Sequence, residues 1–324
     1  MYNDKKISFN EFISLLIDMH FIYKDKEKSI RPYLPIMQHT WDILLRGPRD
    51  VVSHTILSSC TSISAICSSW RSSANCWCIQ NGMAYNIWAY VRAIVTESSK
   101  LLTESSASFI QTWYRPDNIV VRKMCGFESP LCNIDGVYSD LNYCLQWEPQ
   151  NGSEDEFTDL FFQTPETADK IAFRDFVINN RSSLFYEGEN IENDPTFDNV
   201  NIYFLNVGLT HTRRIDVISS SDEIQAVVLS YFSSPGINFS FLENRTEVIV
   251  GKNVDISSRL VSMIGKIVRK NNRKRVVPGP LITGSRMRDV LVSNGAFLQR
   301  EYVRCIWTRE AYRKLYEYIT NKYM

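Results

Sequence analysis

VVSHTILSSCTSISAICSSW, Val51 to Trp70, carries no Asp, Glu, Lys or Arg, and its reading decides the fold class. Nine serines fall between Ser53 and Ser73, so the run lacks the apolar character that a membrane-spanning helix needs. The spacing then predicts a buried helix, in which the small residues Ser58, Ser62, Ala65 and Ser69 let neighbouring helices approach. The next stretch, Ala74 to Leu102, sets Met83, Ile87, Tyr90, Val91 and Ile94 at helical spacing. Together the two stretches imply a helical core.

Working outward, Ser8 and Glu11 form a capping box before an apolar face at Phe9, Phe12, Ile13, Leu16 and Met19. Ile36 to Leu45 reads as a second helix ended by Gly47-Pro48. After Trp113, turn signals such as Asp135-Gly136 and Asn151-Gly152 punctuate an acidic segment. Asn201 to Leu209 and Ile215 to Ile218 read as strands, Ser221 to Phe232 as a capped helix, and Ile237 to Leu242 with Thr246 to Val250 as a hairpin. A helix capped by Asp255 or Ser257 buries Leu260, Val261, Ile264 and Ile267, and a terminal helix covers Thr308 to Lys322. No internal repeat is legible.

The fold class expected is mainly α with a minor β component (α+β). Residues 1-127 and 201-324 form a helical shell-type domain, and 128-200 an inserted, acidic, protruding subdomain.

Across 324 residues the formal net charge is zero, with 44% hydrophobic and 22% charged residues, which is the composition of a folded chain. The zero conceals segregation: Glu128 to Val200 holds 16 acidic against 3 basic residues, and Arg259 to Met324 holds 15 basic against 4 acidic. Such blocks suit a polyanion or the complementary faces of an oligomer. The densest run lies at Lys266, Arg269, Lys270, Arg273, Lys274 and Arg275, a patch for backbone contacts to nucleic acid or for docking a neighbouring subunit. On the terminal helix, Tyr312, Leu315, Tyr316 and Ile319 form a stripe that reads as core or subunit contact.

Catalytic and cofactor signatures are missing. Gly279 to Ser285 echoes a phosphate loop but has Ser285 where the motif needs lysine. No nucleophile elbow exists, and a Cys60–His54 pair rests on proximity alone. The carboxylates Glu154, Asp155, Glu156 and Asp159 read as a solvated loop. Eight cysteines and four histidines match no common metal spacing and read as buried thiols of a reduced, intracellular protein. No catalytic residue, cofactor, metal or membrane contact is expected.

In length, Asn- and Tyr-rich composition, a helical body with an irregular mid-chain segment, and absent catalytic motifs, the chain resembles the capsid proteins of partitivirus-like double-stranded RNA viruses of the cryspovirus type. That resemblance implies a structural, non-enzymatic protein found in the virion and host cytoplasm. Its partners would be itself, as quasi-symmetric dimers closing into an icosahedral shell, and genomic RNA. The alternatives are a non-assembling RNA-binding protein and an enzyme of unrecognised family.

Overall fold

The computed structural model describes residues 8–18, 31–44, 49–58, 63–149, 160–165, 168–221, 223–238 and 240–324. Met19, Gly47, Pro48, Cys60, Asn151, Glu154, Asp155, Glu156 and Asp159, on which sequence readings rested, lie outside them.

One mixed sheet of 11 strands organises the described residues, which overturns the mainly helical expectation and its inserted subdomain. The stretch expected as a buried helix is a hairpin, β1 (Val52–Ser58) and β2 (Ile63–Arg71), paired from Val52↔Trp70 to Ser58↔Ile63. Its apolar spacing misleads because β2 is buried continuously from Ala65 to Arg71. A strand covered on both faces loses the alternation that would identify it. Cys76–Ala84, expected as the start of the next helix, is β3, and only Ile87–Glu104 (α3) is helical.

The capping box does form before α1 (Phe9–Asp18): Ser8 N donates to Glu11 Oε2 at 2.9 Å and Glu11 N to Ser8 Oγ at 3.3 Å. α2 (Leu34–Leu44) follows, and its Trp41 stacks on Phe12 with ring centroids 3.9 Å apart. After α3 come β4 (Phe109–Tyr114), α4 (Ile119–Met124) and β5 (Val137–Gln146). The former protruding segment therefore supplies β5 to the middle of the sheet, β6 (Leu160–Gln163) to its edge, and helix α5 (Lys170–Asn180) with α6 (Ser183–Gly188). Asn201–Leu205, expected as a strand, lies in α7 (Asp198–Leu205). β7 (His211–Ser220), β8 (Glu223–Ser233), where a capped helix was expected, and β9 (Thr246–Val250) follow. The chain closes with α8 (Ser258–Asn272), β10 (Leu281–Thr283), α9 (Ser285–Ser293), β11 (Phe297–Thr308) and α10 (Arg309–Tyr323).

The strand order β1-β2-β3-β4-β11-β5-β10-β9-β8-β7-β6 contains a repeat that the sequence does not display. β1 to β5 and β7 to β11 follow one plan: an antiparallel meander, a helix leading to a parallel fourth strand, a second helix, and a last strand. The last strands are exchanged, so that β5 pairs with β10 and β11 with β4, while β5 and β11 pair antiparallel at the pseudo-twofold centre. α3, α4 and α10 pack with α8 and α9 on one face, and α5 to α7 cover the other. Between the halves lies a buried ionic cluster. Arg304 donates to Glu247 at 2.9 Å and to Asp140 at 2.9 Å, Arg181 pairs with both carboxylates, and Arg245 pairs with Glu189 at 2.8 Å.

Candidate functional site

β3 and β4 run parallel from Cys76↔Phe109 to Ile79↔Thr112, where Thr112 Oγ1 donates to Ile79 O at 2.9 Å. Their ladder stops there, although β3 continues to Ala84 and β4 to Tyr114. On their outer edges both remain paired, β3 with β2 as far as Ala65↔Ala84 and β4 with β11 as far as Val303↔Tyr114. The inner edges thus diverge, with no ladder partner between them among the described residues. The cause is local to β3. Its register with β2 slips between Ile66↔Met83 and Ser68↔Gln80, leaving Asn81 and Gly82 opposite Cys67 alone. A bulge of this kind bends the strand and re-aims its backbone groups. Gly82 also lets α3 settle against the strand, since a Cβ there would lie 3.1 Å from the Tyr90 ring.

The gap opens a cavity of about 560 Å³ at the carboxyl ends of this parallel pair, where open α/β sheets hold ligands. Alternation along the strands gives it two unlike sides. Tyr114 faces the side walled by Tyr90 of α3, Val121 and Met124 of α4, and Leu315 of α10. Trp113 faces the other, with Tyr302 and Leu242, and there Gln80, Asn238 and Arg300 add polar groups. Part of that wall comes from the second half of the chain. Gln80 Nε2 donates to Ile237 O at 3.2 Å, and the Gln80 carbonyl accepts from the Asn238 amide.

Burial pushes the Tyr90, Tyr114 and Tyr312 hydroxyls upward, so all three stay protonated at neutral pH. Desolvation likewise raises the Cys67 and Cys125 thiols well above the usual thiol range, which disfavours either as a nucleophile. Asp117 is the one carboxylate among the described lining residues, and it pairs with Arg115 at 2.5 Å. No group of three or more His, Cys, Asp or Glu able to hold a metal occurs among the described residues. The site offers hydrogen-bond donors and shape, without an activated thiol.

In the second half, β9 and β10 repeat the parallel pair from Leu281↔Thr246 to Thr283↔Val248, and Thr283 Oγ1 again donates to the carbonyl opposite, Val248 O, at 3.2 Å. Here β9 pairs with β8 in unbroken register. Arg286, three residues beyond Thr283 as Arg115 is beyond Thr112, reaches across the mouth. It donates to Gly251 O at 3.0 Å, to Val254 O at 2.7 Å, and to Lys252 O.

The residues singled out from sequence divide between structure and surface. Arg275 is spent on Tyr231 O, Arg245 O and Thr246 Oγ1, and Arg269 donates to Pro149 O at 2.7 Å. Lys266 is half-buried on α8, while Lys270, Arg273 and Lys274 are exposed at the end of that helix. Tyr312, Leu315 and Ile319 are buried, with Tyr316 half-buried, and the first three line the cavity. Sequence reasoning missed Gln80, Gly82, Tyr90 as a lining group, Trp113, Tyr114 and Tyr302. Only a parallel pairing of β3 with β4 brings them together, and that pairing is invisible while β3 reads as helix.

No family model matches the chain, and no curated protein matches it. Solved structures similar to it include a GCN5-related N-acetyltransferase-like protein from Streptococcus suis, at 10% identity, 84% of this chain and 98% of that one, with a TM-score of 0.40. A tandem GNAT protein from the clavulanic acid biosynthesis pathway shares 7% identity over 87% of this chain and 95% of that one, with a TM-score of 0.40. A Drosophila protein shares 10% over 94% and 97%, with a TM-score of 0.46. The resemblance to a viral capsid protein is corrected: the helical shell and inserted subdomain it implied are replaced by one mixed sheet. The expectation of a non-enzymatic coat protein falls with it.

Proposed function

We propose that the chain is an enzyme that transfers an acyl group from an extended, amide-bearing carrier to an acceptor, the two meeting in the gap between β3 and β4. The observation that carries this reading is the pair of facing strand edges, beyond Ile79 and Thr112, that lack a ladder partner. A carrier arm with spaced amides, such as pantetheine, fits between them as a strand would, through main-chain hydrogen bonds. A cavity lined from both faces of the sheet also allows direct transfer between two bound ligands, in keeping with thiols held protonated by burial.

In the proposed step an acceptor amine attacks the carrier's thioester carbonyl; the C–N bond forms and the C–S bond breaks. Backbone amides re-aimed by the bulge at Asn81 and Gly82 would stabilise the oxyanion. Tyr114, whose Oη accepts from Phe127 N at 3.3 Å, retains its own proton and would give it to the leaving sulfur, and the proton lost by the nitrogen would return to Tyr114 through solvent.

Calorimetric titration with coenzyme A, followed by acetyl transfer from acetyl-coenzyme A to a panel of amines, tests the reading. Binding to the wild type and at least about tenfold weaker binding by Ala84→Trp, at the end of the β3 edge, is the expected result. Absence of coenzyme A binding at millimolar concentration would sink it.

A further inference from the structure

The two sides of the cavity differ most in what they offer a ligand, and on the helix side three of the polar tips are already occupied. Tyr312 Oη and Ser98 Oγ are 2.6 Å apart, Cys125 Sγ donates to Val121 O at 3.4 Å, and Asn118 Oδ1 accepts from Val121 N at 3.1 Å. Most of the lining there is aromatic or aliphatic, with Tyr90, Ile94, Val121, Met124, Leu315 and Ile319. The charged lining residues sit elsewhere: Arg115 and Asp117 pair with each other beyond the end of β4, and Arg300 lies on the opposite side beside Tyr302, 3.4 Å from its hydroxyl.

Three helices contribute to this wall, and from Tyr312 to Ile319 its floor runs about 10 Å along α10. An acetyl group has one methyl to bury against it. A wall of this length and chemistry is matched by a hydrocarbon chain, whose burial is favourable in proportion to apolar area.

We propose that the helix side of the cavity is an acyl-chain pocket, and that the group transferred is a linear acyl chain of several carbons. This rests on the carrier-binding reading above and specifies its substrate. The chain lies between Tyr90, Ile94, Val121, Met124 and Leu315, its carbonyl at the point where β3 and β4 part. The acceptor comes from the side of Trp113, Tyr302 and Asn238.

The test is a titration of the wild-type protein with coenzyme A and its acetyl, butanoyl, hexanoyl and octanoyl thioesters. Affinity is expected to rise about fourfold per added methylene until the floor is reached. Equal affinity across the series, with coenzyme A itself bound, overturns the chain pocket and leaves the carrier site standing; no binding of coenzyme A overturns the carrier site itself. Leu315→Trp is expected to abolish the gain beyond butanoyl. An unaltered series in that variant would overturn the placement against α10, and should the variant not fold, the wild-type series still decides.

Discussion

The two parallel strand pairs start from one plan and end differently. In the first half β3 is bulged, the strands part after Thr112, and a cavity opens; in the second β9 runs straight after the same threonine contact, and Arg286 ties the mouth shut. The residues just before the threonine contacts differ as well. Ile79 and Val248 face the two threonines, so Cys78 and Glu247 occupy equivalent positions, one a small buried thiol and the other the anchor of an ionic cluster. One half has invested its centre in rigidity and the other in a gap, and the exchange of β5 and β11 makes the gap depend on the rigid half.

Breaking the anchor should have the largest effect. Burial alone would raise the Glu247 carboxyl, but Arg304, Arg181 and Arg245 outweigh it and hold the group down to about 2. Glu247→Gln leaves three guanidinium groups with less compensation in a dry interior, and a loss of about 3–5 kcal/mol in urea denaturation is expected. Cys78→Ala at the equivalent place should cost about 1 kcal/mol. Similar losses at the two positions would mean that the halves are built alike after all.

The same contrast explains what could be read from the sequence. Local signals held where a helix has one wet face: Ser257 does cap α8, and Leu260, Val261, Ile264 and Ile267 are buried as the spacing implied. They failed at β2, β3 and β8, which lie inside the sheet and are buried on both faces, so their apolar runs carry no period of two. The site failed with them, because Gln80 and Tyr114 meet only through a non-local pairing. Charge counting has a related limit. Arg275 and Arg304 belong to the basic C-terminal block of the sequence, yet Arg275 is half-buried among carbonyls and Arg304 is buried among carboxylates.

A second carboxylate four residues before Glu247 sharpens the comparison in the opposite direction. Glu243 is fully buried, and desolvation pushes it up to about 8 against an ordinary value of 4.5, the main-chain groups of Glu243, Asn238 and Gly236 offsetting the shift only in part. Below pH 4.5 the group is protonated folded or unfolded and contributes nothing. Between 4.5 and 8 the unfolded chain releases a proton that the folded chain keeps, so stability falls as pH rises through that window. Glu243→Gln should remove the fall, and the variant should gain on the wild type by several kcal/mol between pH 5 and pH 8 in denaturant titrations. A pH-independent difference would show that the folded chain does not hold this carboxyl protonated. Since Asn238, Ser240 and Leu242 of the same segment line the cavity, coenzyme A affinity measured over that pH range would also report whether ionising Glu243 loosens the wall.

The smallest effect expected is at the two arginines three residues past the threonine contacts. Arg286 is exposed, but three main-chain carbonyls of the loop before α8 depend on its guanidinium, so Arg286→Ala should cost about 1 kcal/mol and speed amide exchange in residues 251–254. Arg115 instead pairs with Asp117 at the surface, a contact worth about 0–1 kcal/mol, and Arg115→Ala should leave exchange near β3 unchanged. If Arg286→Ala exchanges like the wild type, the second mouth is shut by the packing of Val254 and Met287 alone, and the difference between the halves lies wholly in the bulge at Asn81 and Gly82.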